Sequence, residues 1–207
     1  MTPDQMAAAI TTGIKTDVPD HLNKSSELQR FLYSIGGDTK PELLDTADFR
    51  KAPGTALYRT VDQVYNRDAD LNYTAPQIAA QVQAGRVTRV SSGGRAVYGE
   101  GIYFAGTTRG SSGYGGSSGN IDKTCMMYAK LKPGAKVIDY YSAQSGAALE
   151  INRGTRLGRA LSRCNTRSRV SIYALAKGYD VIHAAGPGYY SVLNRMALTV
   201  SKDITSI

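Results

Sequence analysis

Cysteine and histidine are both scarce, with two of each in 207 residues: Cys125 and Cys164, His21 and His183. The cysteine spacing suits neither a zinc site nor a disulfide framework. With so few imidazoles and thiolates, metal catalysis through them is not expected. No apolar run approaches the ~20 residues that a membrane-spanning helix needs. The opening residues, Met1-Thr-Pro-Asp-Gln, lack the basic start and apolar centre of a secretory signal. Together these absences point to a reduced, cytoplasmic setting without a membrane partner.

What is present describes an ordinary globular chain, 42% hydrophobic and 20% charged. The length supports one substantial core and is too short for two independent domains. We expect an N-terminal extension over 1–22 and a single domain over 23–207. The formal net charge of +8 fits either a polyanionic partner, such as nucleic acid or an acidic protein face, or a solubilising bias.

Along the chain, a short Ala-rich helix is expected at Gln5–Ile14. Ser26 followed by Gln29 forms a capping box for a helix with Leu28, Phe31, Leu32 and Ile35 on one face, closed by Gly36-Gly37. Pro41 begins a second short helix running to about Ala47. Pro53-Gly54 makes a turn before a strand at Ala56–Val61. Thr74 caps a further helix that ends before Gly85. Strands are expected at Arg86–Val90, Lys123–Leu131 and Lys136–Asp139, and the glycine- and serine-rich stretch 106–120 cannot build a core of its own. Helices dominate 142–177, and two last strands follow at Asp180–His183 and Tyr190–Val200. The sum is an α+β protein, helices first and then a largely antiparallel sheet with helical insertions.

One stretch stands apart, Tyr98-Gly-Glu-Gly-Ile-Tyr-Phe-Ala105. Its glycines allow a sharp turn and a close approach to the main chain, and the aromatic residue behind them offers a flat face to a flat ligand. With Leu57-Tyr-Arg-Thr60 before it and Lys132-Pro-Gly-Ala-Lys-Val-Ile138 after it, the chain resembles the ADP-ribosyltransferase superfamily, in particular its bacterial and bacteriophage members. Gly99–Ala105 is similar to the second motif of the poly(ADP-ribose) polymerase and diphtheria-toxin branch, and Tyr58-Arg59-Thr60 to the first motif of the branch that begins with arginine. The resemblance covers roughly residues 25–200.

The resemblance implies a split antiparallel β-sheet core with N-terminal helices and NAD as co-substrate. In the polymerase-like branch a serine and a second tyrosine follow the motif tyrosine by eight and eleven positions, which are Ser111 and Tyr114 here. Tyr103 and Tyr114 would sandwich nicotinamide, Ser111 would bond its carboxamide, and the backbone of Gly99, Gly101, Ile102 and Tyr103 would line the pocket. An electron-poor pyridinium gains from aromatic faces on both sides. Arg59, flanked by Tyr58 and Thr60, would hold the ribose and phosphate side, since a guanidinium fork matches phosphate oxygens and stays charged.

The third motif departs from the family. Active members carry a glutamate at the start of a late strand, where it steadies the oxocarbenium-like state as nicotinamide leaves. Here Tyr189 takes that register, with Ser191 next on the same strand face and Asn194 further on, and no carboxylate occurs from Gly186 to Val200. A hydroxyl or amide replaces the glutamate, or Glu100 or Glu150 reaches the cleft from elsewhere, or the domain binds without catalysis. The expected function is therefore a mono-ADP-ribosyltransferase acting on a protein or nucleic-acid acceptor in the cytoplasm of a bacterial host, in the manner of a toxin or phage-delivered effector. The alternatives are an NAD glycohydrolase, or a non-catalytic phage-associated binding or structural protein that keeps the fold.

Arg153, Arg156, Arg159 and Arg163 recur at spacings of three, three and four. If 150–164 is one helix they line one face. That face is either simply solvated or a docking stripe for the phosphates of a polyanion.

Overall fold

The computed structural model describes residues 41–60, 98, 101–112, 126–186 and 188–201. The helices expected near Gln5, Ser26 and Thr74 and the strand at Arg86–Val90 lie outside the described residues, as do Val61 and the start of the Lys123–Leu131 strand.

In chain order the elements are β1 (Glu42–Leu44), α1 (Thr46–Lys51), β2 (Thr55–Thr60), β3 (Ile102–Ala105), α2 (Thr108–Ser112), β4 (Met126–Leu131), β5 (Val137–Asp139), α3 (Tyr140–Asn152), α4 (Arg156–Leu161), α5 (Thr166–Ala176), β6 (Val181–Ala184), β7 (Tyr189–Val192), a 3-10 turn (Arg195–Ala197) and β8 (Leu198–Ser201). The strands form one eight-stranded sheet in the order β1-β8-β4-β2-β3-β7-β6-β5. Its two outermost pairings, β1 with β8 and β5 with β6, are parallel, and the rest are antiparallel. The protein is thus α+β, with mixed rather than purely antiparallel pairing.

Alternation along the strands divides the apolar residues between two faces. On β6, Val181 enters one core and Ile182 the other. Leu57, Ile102, Phe104, Met127, Ala129, Val192, Leu198 and Val200 fill the first. The second forms where α3, α4 and α5 pack on Ile182 and Leu193 through Ala143, Ala147, Leu157, Leu161, Val170 and Ala174. Asp139 starts α3 by accepting from the backbone of Tyr141 and Ser142 at 2.9 and 3.1 Å, which satisfies two of the helix's orphan donors.

Several local expectations are corrected. The helix placed from Pro41 to Ala47 is a strand followed by a helix: Glu42, Leu43 and Leu44 pair with Thr199, Val200 and Ser201, so a tertiary partner overrides the local preference. Lys130 then anchors α1, donating to the carbonyls of Phe49, Arg50 and Ala52 at 2.8, 3.1 and 2.6 Å, where a cation meets the negative end of the helix. The stretch after Ala105 begins with α2, whose Gly110 N–H donates to Thr107 Oγ1 at 3.0 Å. The single strand expected at Tyr190–Val200 is two strands in different places, β7 beside β3 and β8 beside β4. Asn194 makes the break by capping the 3-10 turn, its side chain accepting from Met196 N. Finally, α3 and α4 are separate helices, divided at Gly154, whose φ of +63° suits a residue without Cβ.

Candidate functional site

β2, β3 and β7 lie side by side at the centre of the sheet. β2 is in register with β4 at six positions and β3 with β7 at four, yet among the described residues β2 and β3 share only the pair Tyr58↔Ala105. A continuing ladder would set Thr60 against Tyr103. Instead, Arg59 Nη1 donates to the Tyr103 carbonyl oxygen at 3.0 Å. A guanidinium thus bonds the carbonyl that a continuing ladder would offer to a strand N–H, and the short β2–β3 pairing makes a seam within the sheet.

The seam holds polar atoms that the fold leaves unmatched. Arg59 Nε and Ser191 Oγ are buried and have no hydrogen-bond partner among the described residues. Ser191 lies directly across from Tyr103. Gly101 closes the same region: a Cβ there would sit 2.4 Å from Ser191 Oγ and 2.9 Å from the Val192 carbonyl oxygen, so the approach of β3 to β7 requires glycine.

Among the described residues, the two charges that meet at the seam, Arg59 and Arg195, are both positive. Burial pushes the Arg59 guanidinium down to about 10. Arg195, in the 3-10 turn, is only 1% exposed. Burial, and then the charge of Arg59, lower it to about 9. Both remain protonated at neutral pH, and an anion brought between them would relieve their repulsion.

A string of tyrosines forms the aromatic side of the site. The backbone N–H of Tyr98 donates to the Tyr103 hydroxyl at 3.0 Å. The Tyr98 ring lies 6.3 Å from Tyr189 and 5.3 Å, edge-on, from Tyr140. Tyr140 in turn meets Tyr141 edge-on at 5.3 Å, and Tyr141 is 69% exposed. The string runs from the first residue of β7 to solvent at the N-terminal end of α3.

Of the residues singled out from sequence, Tyr58, Arg59, Tyr103 and Tyr189 lie on adjacent strands, with Tyr189 paired to Ala105, and Gly101 stands just before β3 against Ser191. Ile102 is 1% exposed and belongs to the core. Thr60 and Ser111 fall in β2 and α2. Gly99, Glu100 and Tyr114 lie outside the described residues. Asn194 is not brought to Tyr189: it stands beyond the far end of β7, donating to Asp180 Oδ1 at 2.8 Å. Glu150 is held at the end of α3 by Lys177 at 2.7 Å and the Thr155 hydroxyl at 2.6 Å.

Sequence reasoning missed Tyr98, Tyr140 and Arg195 as members of the site. Arg195 carries no local signal, because its burial depends on the turn that interrupts the last strand. Ser191 was legible through alternation with Tyr189 on one strand face.

No protein-family model matches the chain, and neither the curated proteins nor the solved structures contain a match. Among the described residues, no helix is long and apolar enough to cross a membrane.

Proposed function

We propose that the protein is an NAD-dependent mono-ADP-ribosyltransferase with an ADP-ribosyltransferase-like split sheet, its cofactor lying across the seam between β2 and β3. The observation that carries this reading is Arg59: a half-buried arginine at the seam, tied by one guanidinium nitrogen to Tyr103 O, with its buried Nε unmatched among the described residues. A pyrophosphate laid against it would meet charge and donors together, and Arg195 behind it would add to the positive field. Tyr103 would offer its ring to nicotinamide, and Ser191 Oγ a hydroxyl to the nicotinamide ribose.

In the reaction the bond between the nicotinamide nitrogen and the ribose anomeric carbon breaks and nicotinamide departs with the electron pair. An acceptor nucleophile then bonds that carbon and gives up its proton. The developing oxocarbenium charge calls for a nearby anion, but β7 reads Tyr189-Tyr-Ser-Val192 and has no carboxylate. Losing one aimed group of this kind costs on the order of 3–4 kcal/mol, or roughly 10²–10³ in rate. The same lack favours a second reading, in which the seam binds NAD without cleaving it.

Titration calorimetry with NAD, and label transfer from NAD to lysate macromolecules, test both. Arg59→Ala is expected to abolish NAD binding; unchanged affinity removes the site from the seam. Binding with neither label transfer nor nicotinamide release selects the non-catalytic reading, and free ADP-ribose without labelled acceptor selects a glycohydrolase.

A further inference from the structure

Charge is distributed unevenly along the chain. Residues 132–201 hold ten Lys or Arg against three Asp or Glu, so seven of the eight net positive charges fall in this part. The three carboxylates are all engaged within the fold. Asp139 caps α3. Glu150 bonds Lys177 and Thr155. Asp180 accepts from Lys136 N at 2.9 Å and from Asn194 Nδ2. Between 151 and 179 there are six arginines, one lysine and no acid.

The structure sorts these arginines by task. Arg169 is structural, its Nε and Nη2 donating at 3.1 Å to the carbonyls of Leu161 and Cys164 at the end of α4. Arg153, Arg156, Arg159 and Arg163 are all exposed. Arg156 and Arg159 project from α4 while Leu157, Ala160 and Leu161 on the same helix are buried. Arg163 follows on the turn that closes α4, its N–H bonded to Ala160 O. Arg159 reaches back to the carbonyl of Gly154, next to Arg153. The side chains of Arg156 and Arg163 make no hydrogen bond or ion pair among the described residues. The break at Gly154 thus replaces the single helical stripe with a patch that runs from the α3–α4 junction along α4 to its closing turn.

We propose that Arg153, Arg156, Arg159 and Arg163 form a docking surface for the phosphodiester backbone of a nucleic acid. Four exposed guanidiniums, of which among the described residues only Arg153 feels a carboxylate, that of Glu150, gain most from an evenly spaced row of phosphates, which they meet in bidentate fashion. One helix also links the patch to the tyrosine string. α3 begins at Tyr140, part of the tyrosine string, and ends beside Arg153, and its 13 residues span about 20 Å. That is roughly six nucleotides of a strand at 3.4 Å per phosphate. The proposal does not depend on NAD being bound or cleaved.

The test is fluorescence anisotropy on the whole protein with labelled single-stranded RNA, single-stranded DNA and duplex DNA of one sequence, between 50 and 200 mM salt. If all four arginines neutralise a phosphate, affinity for duplex falls about a hundredfold over that range. The R153Q/R156Q/R159Q/R163Q variant is expected to lose at least tenfold at low salt and to flatten the salt slope. Lys51→Gln, on exposed α1, is expected to do neither. If the fourfold variant does not fold, R156Q/R163Q removes only side chains without partners among the described residues and is expected to halve the slope. No binding by any of the three nucleic acids overturns the proposal, as does an unchanged slope in the variants. Displacement by poly-glutamate as effectively as by nucleic acid of equal charge also overturns it and assigns the patch to an acidic protein. The preferred arm distinguishes RNA from DNA.

Discussion

Ser191 gives the sharpest single-residue test of the seam. A buried hydroxyl without a partner costs about 1–3 kcal/mol relative to a paired one, so a purely structural role predicts that its removal is harmless. We expect Ser191→Ala to keep or raise the melting temperature while weakening NAD binding, measured by a thermal melt and by calorimetry on the same sample. A ligand role alone separates those two readouts. Gly101→Ala should act in the opposite direction. Its Cβ would meet Ser191 Oγ and the Val192 carbonyl, and overpacking of this kind costs about 1–3 kcal/mol. Combining the two substitutions should recover part of that loss, because the hydroxyl is the nearer obstacle at 2.4 Å, while the backbone carbonyl remains.

Among the elements, the junction of α3 and α4 rests on Thr155. Its hydroxyl accepts from Gly158 N at 2.9 Å and donates to Glu150 Oε2 at 2.6 Å, so one side chain caps α4 and ties it to α3. Thr155→Ala is expected to cost about 1 kcal/mol, seen as a fall of roughly 2–4 °C in melting temperature for a chain of this size. Elements whose signals are local were legible: the strand expected at Ala56–Val61, described over Thr55–Thr60, the strand expected at Lys136–Asp139, found at Val137–Asp139, and the helical region expected to end at 177, whose last helix is Thr166–Ala176. β1 was not, because three residues become a strand only through β8. The last strand was read as one piece because its apolar content continues across Asn194, while its pairing does not.

Across the whole molecule, two carboxylates link stability to pH. Lys177, then Thr155, hold the Glu150 carboxyl below its ordinary value, and Lys132 does the same for Glu42. A carboxyl with a lowered folded value contributes stability above its unfolded value of about 4.3. That contribution disappears as pH falls through the folded value. Melting temperature is therefore expected to fall below pH ~4.3, and Glu150→Gln should reduce that fall while lowering stability at neutral pH. The same scale carries the asymmetry of charge: the engaged carboxylates hold helices and turns in place, while four arginines face solvent.

Composition and periodicity determined the broad class, one α+β chain with a glycine-flanked aromatic strand and a basic segment, because these properties are written in consecutive residues. The relation of that strand to Arg59 was decided only by tertiary structure. A seam in a sheet is a failure of pairing between strands more than forty residues apart, and no local preference encodes it. Burial of Arg195, engagement of Glu150 by Lys177 and Thr155 and the placing of the arginines about a broken helix have the same origin. Each depends on which distant group a side chain meets, and that is fixed by packing.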